Sequence, residues 1–291
     1  MTSRILLTVL RRDRRVVTCA LLAVITASWL YLLSGAGTGM YPHEMAELIP
    51  SNSAMGSSTA NGADVFGHDT PMSLPEWTLG YTLLMFAMWS LMMVAMMLPS
   101  AAPMVLLHAA VTRKGLPIGD CTISTAASRR LHRSTTAFVV GYLTMWGAFS
   151  LTAVVAQWSL QRGQLLSPMM TSTSRLLGSG LLLAAGAWQL TPLKAACLRH
   201  CRSPIGFVST HWRPGIRGAF EMGIRHGAYC LGCCWFLMIL LFYGGVMNLA
   251  WIAGLALFVL VEKLMPAGIV VGKVTGVLLI AWGSWLGFAE I

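Results

Sequence analysis

Charge is scarce in this sequence. Only 10% of its 291 residues are Asp, Glu, Lys or Arg, whereas 56% are hydrophobic. Charged residues make up about a quarter of an average soluble domain. The shortage of charge excludes a single soluble globule. It predicts an all-α, polytopic transmembrane helical bundle, because a helix satisfies its own backbone hydrogen bonds in lipid.

Acidic residues are rarer than basic residues. The chain has 10 Asp and Glu against 20 Lys and Arg, a formal net charge of +10. In a soluble protein this excess would suggest nucleic-acid binding, but here the basic residues lie in short loops between apolar segments, as in positive-inside topology. We therefore exclude a nucleic-acid partner. Residues 35–76 contain no Lys or Arg, so we place that segment outside and the N-terminus in the cytoplasm.

Seven apolar segments are long enough, or nearly so, to cross a bilayer at about 20 residues per helix. They are Val16–Ser34, Trp77–Leu98, Thr136–Trp158, Leu176–Leu193, Ala219–Tyr243, Met247–Val261 and Ala267–Phe288. We expect about seven transmembrane helices, and we divide the chain into three regions. Residues 1–34 are predicted to form a basic N-terminus and a first transmembrane helix, residues 35–76 a flexible outer loop, and residues 77–291 a six-helix membrane core.

Cysteine is absent from residues 35–76, which argues against a periplasmic disulfide generator. Thiols are concentrated instead in one apolar run. In a helix, four potential ligands of that run share one face within roughly 100°: His226, Cys230, Cys233 and Cys234. A single buried thiol is usually inert. This group favours metal or redox chemistry, and spacing alone does not decide between the two.

Methionine is crowded into a second apolar segment. Six thioethers lie within thirteen residues: Met85, Met88, Met92, Met93, Met96 and Met97. Four of them share a helix face of roughly 80°, and the other two lie on its shoulder. Soft-metal contact and adaptable packing both explain such a face. Because Met88 and Cys230 lie at the same predicted depth, the thioethers and thiols are expected to share one site. Pro99 and Pro103 predict that the helix kinks, unwinds or simply ends beyond this cluster.

Two further thiols, Cys197 and Cys201, are four residues apart beside His200. We expect them on the cytoplasmic side, where they form either a docking point for metal or a pair of idle thiols. Four charged residues are predicted at the same level, and we expect them to neutralise one another because unpaired charge is costly in lipid. They are Glu221, Arg225, Glu262 and Lys263.

Three separated motifs carry a family resemblance. They are Trp89–Pro99, Gln189–Cys201 and Gly223–Trp235. In this order they resemble a bacterial family catalogued as predicted metal-binding integral membrane proteins of unknown function. The resemblance covers roughly residues 77–287, and it implies a metal, copper, at the bacterial inner membrane. It does not supply a reaction or a catalytic residue.

These patterns favour a membrane protein that holds or passes Cu(I), or supplies it to a partner metalloenzyme. Thiolate and thioether ligands select Cu(I); zinc accepts the same thiolates, and the methionine cluster favours copper over zinc. Three alternatives stay open: a membrane thiol oxidoreductase, a subunit of a membrane oxygenase complex, and an accessory subunit whose sulfur is structural. Whether the chain is an enzyme is left undecided by its sequence.

Overall fold

A computed structural model describes residues 2–35, 77–114, 121–167 and 170–288 of the chain. The predicted outer loop therefore lies outside the described residues, apart from its first residue. Ten helices are described: α1 Thr2–Leu33, α2 Leu79–Lys114, α3 Cys121–Arg162, α4 Arg175–Leu190, α5 Pro192–Arg202, α6 Pro204–His211, α7 Gly215–Ile239, α8 Leu241–Gly244, α9 Leu249–Leu264 and α10 Gly268–Phe288. The described part of the chain forms no strand, which confirms the all-α class.

The predicted apolar segments are largely helical, although Leu176–Leu193 crosses from α4 into α5 and Ala219–Tyr243 crosses from α7 into α8. Among the described residues, five spans are long and apolar enough to cross a membrane: Arg15–Leu33, Leu79–Arg113, Ala127–Arg162, Gly215–Gly244 and Gly268–Phe288. Helices α4 and α5, which meet at a bend of 66°, together form a sixth candidate. Helix α9 has 16 residues, fewer than the roughly 20 that an untilted crossing needs. The count of seven therefore stays a prediction.

Helix α2 neither unwinds nor ends at its two prolines. This helix continues from Leu79 to Lys114 through Pro99 and Pro103. The Ser100 hydroxyl donates to the Met97 carbonyl oxygen at 2.8 Å, and the Tyr142 hydroxyl of α3 donates to the same oxygen at 3.1 Å. The methionine segment is therefore one continuous helix.

Helix α7 lies at the centre of the site, and α3 packs closely against it. A Cβ added at Gly223 would lie 2.1 Å from the carbonyl oxygen of Phe138, far inside van der Waals contact. Only glycine permits this approach of two backbones. The approach brings Tyr142, one turn beyond Phe138 on α3, to the face of α7 that carries Cys230.

The bend between α4 and α5 orients the second pair of cysteines. Thr191 has extended backbone angles, and its hydroxyl accepts a hydrogen bond from the backbone N–H of Lys194 at 3.2 Å. Pro192 occupies the first turn of α5, where its missing donor is tolerated. A Thr-Pro pair thus ends one helix and starts the next in a new direction. Helix α5 then packs against α7.

Candidate metal centre

Sulfur from three helices converges in the interior. Cys230, Cys233 and Cys234 of α7 are fully buried. The half-buried Cys201 of α5 lies beside the Cys230 and Cys233 thiols. The third helix is α2, where the Met97 sulfur lies 3.8 Å from Cys234 Sγ. We call these five residues the sulfur cluster.

The two cysteine groups that the sequence assigned to separate places are neighbours. Cys201 belongs to the sulfur cluster, while Cys197 lies beside it: Cys197 Sγ is 2.9 Å from the position that a Cβ at Gly232 would take. Gly232 thus leaves room for a thiol against the backbone of α7. Spacing along the chain did not indicate this proximity, because it depends on the bend at Thr191. Their role as metal ligands stays a prediction.

All six methionines of the α2 cluster are buried, with at most 1% of each side chain exposed: Met85, Met88, Met92, Met93, Met96 and Met97. The sequence distinguished a face from a shoulder, but neighbouring helices cover both. Burial by itself agrees equally with packing and with metal contact. The distance between Met97 and Cys234 is the observation that connects this helix to the thiols.

Two polar groups contact the sulfur of Cys230. The Tyr142 hydroxyl and the Lys263 ammonium lie 3.1 and 3.0 Å from Cys230 Sγ. Sequence reasoning missed Tyr142, which looks like one aromatic residue in an apolar helix. Lys263 was noticed, but its partner was assigned wrongly.

The predicted mutual neutralisation of four charged residues was wrong. Glu262 is bonded to Lys194 of α5, and both side chains are buried. Glu221 pairs with Arg213 and, at 3.6 Å, with Arg217. The remaining two members of the predicted group lie apart, since Arg225 is exposed and Lys263 contacts sulfur. Glu262 pairs differently from the prediction because α5 brings Lys194 next to it, and nothing in the sequence indicated that Lys194 lies there.

His226 lies one helical turn from Cys230 and is 3% exposed. Aromatic rings surround its imidazole, with centroids 5.4 Å away at Phe207, 5.8 Å at Tyr142 and 6.0 Å at Phe138. Its Nδ1 atom has no hydrogen-bond partner. An unsatisfied buried nitrogen requires an explanation, and a bound metal ion would supply one. His226 as a ligand stays a prediction.

The donor set suits a soft ion. Within the described residues, no group of three or more His, Cys, Asp or Glu side chains is placed around one common ion position. The contact between a thiol and a thioether in the sulfur cluster joins Cys234 Sγ and the Met97 sulfur. Thiolate and thioether donors select Cu(I), and thioether is not among the usual ligands of zinc.

One comparison with known proteins identifies a family. The family model PpoB2, described as a copper chaperone, matches residues 86–286. No curated protein and no solved structure matches the chain. The matched residues make up well over half of the sequence, and they include all five members of the sulfur cluster. The family description gives copper as the metal and does not name zinc. The chain belongs to the PpoB2 copper chaperone family.

Proposed function

We propose that this chain is a multi-pass protein of the bacterial inner membrane that holds Cu(I) on sulfur and hands it to a partner metalloenzyme. Family membership supports copper, and the five membrane-length helices support the location. The observation that carries the proposal is the contact between the buried Cys234 thiol of α7 and the Met97 thioether of α2, beside two further buried thiols of α7.

Burial of the sulfur cluster supports retention of the ion. Cys230, Cys233 and Met97 are inaccessible to solvent, so a bound ion would be shielded from water and from competing ligands. The thiol of Cys233 donates to the carbonyl oxygen of Cys230 at 3.0 Å. Metal binding replaces that weak bond, because the ligand must first lose its proton. Soft ligands compensate Cu(I) for the loss of its hydration.

The methionines of α2 support transfer. Met97 lies at the sulfur cluster, and Met85 lies twelve residues earlier, about 18 Å along the helix at 1.5 Å per residue. At that far end, the side-chain amide of Gln157 donates to the sulfurs of both Met85 and Met170, at 3.4 Å each. Neutral thioethers bind Cu(I) more weakly than thiolates do. A buried row of them would allow an ion to move between ligands without passing through water.

Copper titration tests the holding function. We expect the purified protein, reduced and without oxygen, to bind Cu(I) in competition with a chromophoric Cu(I) chelator. The double variant Cys230→Ser/Cys233→Ser should lose about 100-fold in affinity, which is roughly 3 kcal/mol. Cys19→Ser, which changes an exposed thiol of α1, is the matched control and should bind as the wild type does. Full affinity in the double variant would remove this site from consideration.

One observation favours a second function, dithiol oxidation. Cys201 lies beside the thiols of Cys230 and Cys233 on α7. A disulfide between Cys201 and one of those two residues would form with the loss of two protons and the transfer of two electrons to an oxidant. Such a bond would remove the copper ligands. Trapping the thiols with an alkylating agent in living cells distinguishes the two functions: copper holding requires all of them reduced, whereas an oxidoreductase shows a fraction joined as a Cys201–Cys230 or Cys201–Cys233 disulfide.

A further inference from the structure

Two buried thioethers meet near the start of α2, away from the sulfur cluster. Met85 of α2 and Met170, in the segment between α3 and α4, are 0% and 4% exposed. Their sulfur atoms both lie 3.4 Å from one nitrogen, the side-chain amide Nε2 of Gln157 on α3. Because Met85 is about 18 Å from Met97 along α2, at 1.5 Å per residue, this pair is separate from the sulfur cluster.

The Gln157 amide places positive partial charge next to both sulfurs. Each thioether accepts a hydrogen bond from it, although thioether sulfur is only a weak acceptor. The amide is held in this orientation because its oxygen accepts a hydrogen bond from the indole N–H of Trp89 at 2.8 Å. Gln157 and Trp89 are both fully buried. The thioethers of Met85 and Met170 therefore face one electropositive point inside the bundle.

A strained residue supplies the second of these thioethers. Met170 has a φ angle of 58°, in the left-handed region that residues with a Cβ rarely adopt. Two backbone hydrogen bonds stabilise it there: its N–H donates to the Ser167 carbonyl at 2.8 Å, and its carbonyl accepts from the Val246 N–H at 3.4 Å. Strained residues of this kind cluster at functional sites. The result is a thioether from a connecting segment inserted beside one from α2.

A second bond between tryptophan and glutamine continues the polar contacts toward the surface. The indole N–H of Trp77 donates to the side-chain oxygen of Gln161 at 2.9 Å. Gln161 lies one turn beyond Gln157 on α3 and is buried, whereas Trp77 is partly exposed. Side-chain amides thus lead from the thioether pair to a partly exposed residue near the predicted outer end of α2.

We infer that Met85 and Met170 form a second site for a soft monovalent ion, Cu(I), near the predicted outer end of the bundle. The inference rests on the proposed transfer function, because it gives an ion that leaves the sulfur cluster along α2 a defined destination. Binding replaces two weak N–H bonds to sulfur with two metal–sulfur bonds, and the Gln157 amide moves aside. Thioether ligands favour Cu(I), whereas zinc, magnesium and calcium take other donors. Neither methionine has a proton to lose, so binding here releases none.

Silver titration at two pH values tests this site. Ag(I), a stable monovalent substitute for Cu(I), is titrated into the reduced full-length protein in detergent at about pH 5.5 and about pH 7.5, both below the ~8.5 at which a free thiol titrates. Binding to thiols weakens at the lower pH, because thiols must lose their protons. We expect one class of bound Ag(I) whose affinity is the same at both values. Met85→Leu/Met170→Leu, which conserves volume approximately, should weaken this class at least about tenfold, the loss that removing even a group behind the ligands can cause.

Met222→Leu is the matched control. Met222 is a buried residue of α7, and its sulfur accepts a hydrogen bond from the backbone N–H of Arg213 at 3.4 Å, the same length as the bonds at Gln157. This variant should keep the pH-independent affinity for Ag(I) within about threefold of the wild type. Thermal unfolding without Ag(I) verifies that each variant is folded. If the double variant does not fold, Met170→Leu alone, which changes a residue outside the helices, replaces it with the same expected loss.

The outcomes separate this site from the sulfur cluster. A pH-independent class that survives in Cys230→Ser/Cys233→Ser and is weakened in Met85→Leu/Met170→Leu supports the inference, even if the cysteine substitutions change no other binding and the holding function fails. Unchanged pH-independent affinity in Met85→Leu/Met170→Leu, or a loss no larger than that in Met222→Leu, would assign the pair to packing. That result would overturn the inference and leave the holding function to its own test.

Discussion

At the residue scale, the side chains of the sulfur cluster combine two strengths of soft ligand. In the proposed site, the thiolates of Cys230 and Cys233 would bind firmly, and the Met97 thioether would bind and release more easily. The Tyr142 hydroxyl and the Lys263 ammonium contact the Cys230 sulfur.

Met97 distinguishes metal contact from packing. Met97→Leu conserves volume approximately, so it should cost less than about 1.5 kcal/mol of stability. If the thioether is a ligand, the variant should also lose about tenfold in Cu(I) affinity, or about 1.4 kcal/mol. The readout is chelator competition alongside thermal unfolding. Met104→Leu changes another buried methionine of α2 and is the control. Equal Cu(I) binding by both variants would leave packing as the explanation.

The sequence predicted which residues of α7 share a face, but it did not predict which residues of other helices contact that face. Helical periodicity placed His226, Cys230, Cys233 and Cys234 on one face, and all four are buried together on α7. The contacts of that face were not predictable from spacing. Tyr142 is 88 residues from Cys230, and Lys263 is 33 residues from it. Such pairs are fixed by how helices pack, which leaves no periodic signal in one chain.

At the element scale, close contact between α3 and α7 sets the geometry of the site. The absence of a side chain at Gly223 allows it, since a Cβ there would overlap the carbonyl of Phe138. Packing also bears on α2, which continues as a helix through Pro99 and Pro103. Proline rules describe an isolated helix, whereas this helix packs against α1, α3 and α9.

Gly223→Ala should therefore separate α3 from α7. We expect a loss of about 2 kcal/mol in stability from overpacking, seen as a lower midpoint of thermal unfolding, and weaker Cu(I) binding because Tyr142 moves away from Cys230. Gly254→Ala on α9 is the matched control, because a Cβ there meets nothing within 4 Å. It should stabilise the helix by about 0.5–1 kcal/mol. Similar unfolding midpoints for both variants would contradict the close contact.

At the scale of the whole molecule, the proposed orientation places the N-terminus and the α4–α5 region in the cytoplasm. A membrane-impermeant maleimide, applied to sealed inverted vesicles stripped of metal, should label Cys197, which is partly exposed. The buried thiols of α7 should react slowly or not at all. Right-side-out vesicles and a Cys197→Ser variant are the controls. Labelling of Cys197 from the outer face alone would reverse the topology.

The copper proposal is tested most directly by X-ray absorption at the copper edge. The protein is loaded with one equivalent of Cu(I) without oxygen and washed with a chelator that removes loosely bound ions. We expect copper to be retained as Cu(I) with sulfur as its main ligand, and expect that signal to be lost in Cys230→Ser/Cys233→Ser. Copper bound only through nitrogen and oxygen, or a spectrum that the double substitution leaves unchanged, would contradict the assignment of the sulfur cluster as the copper site.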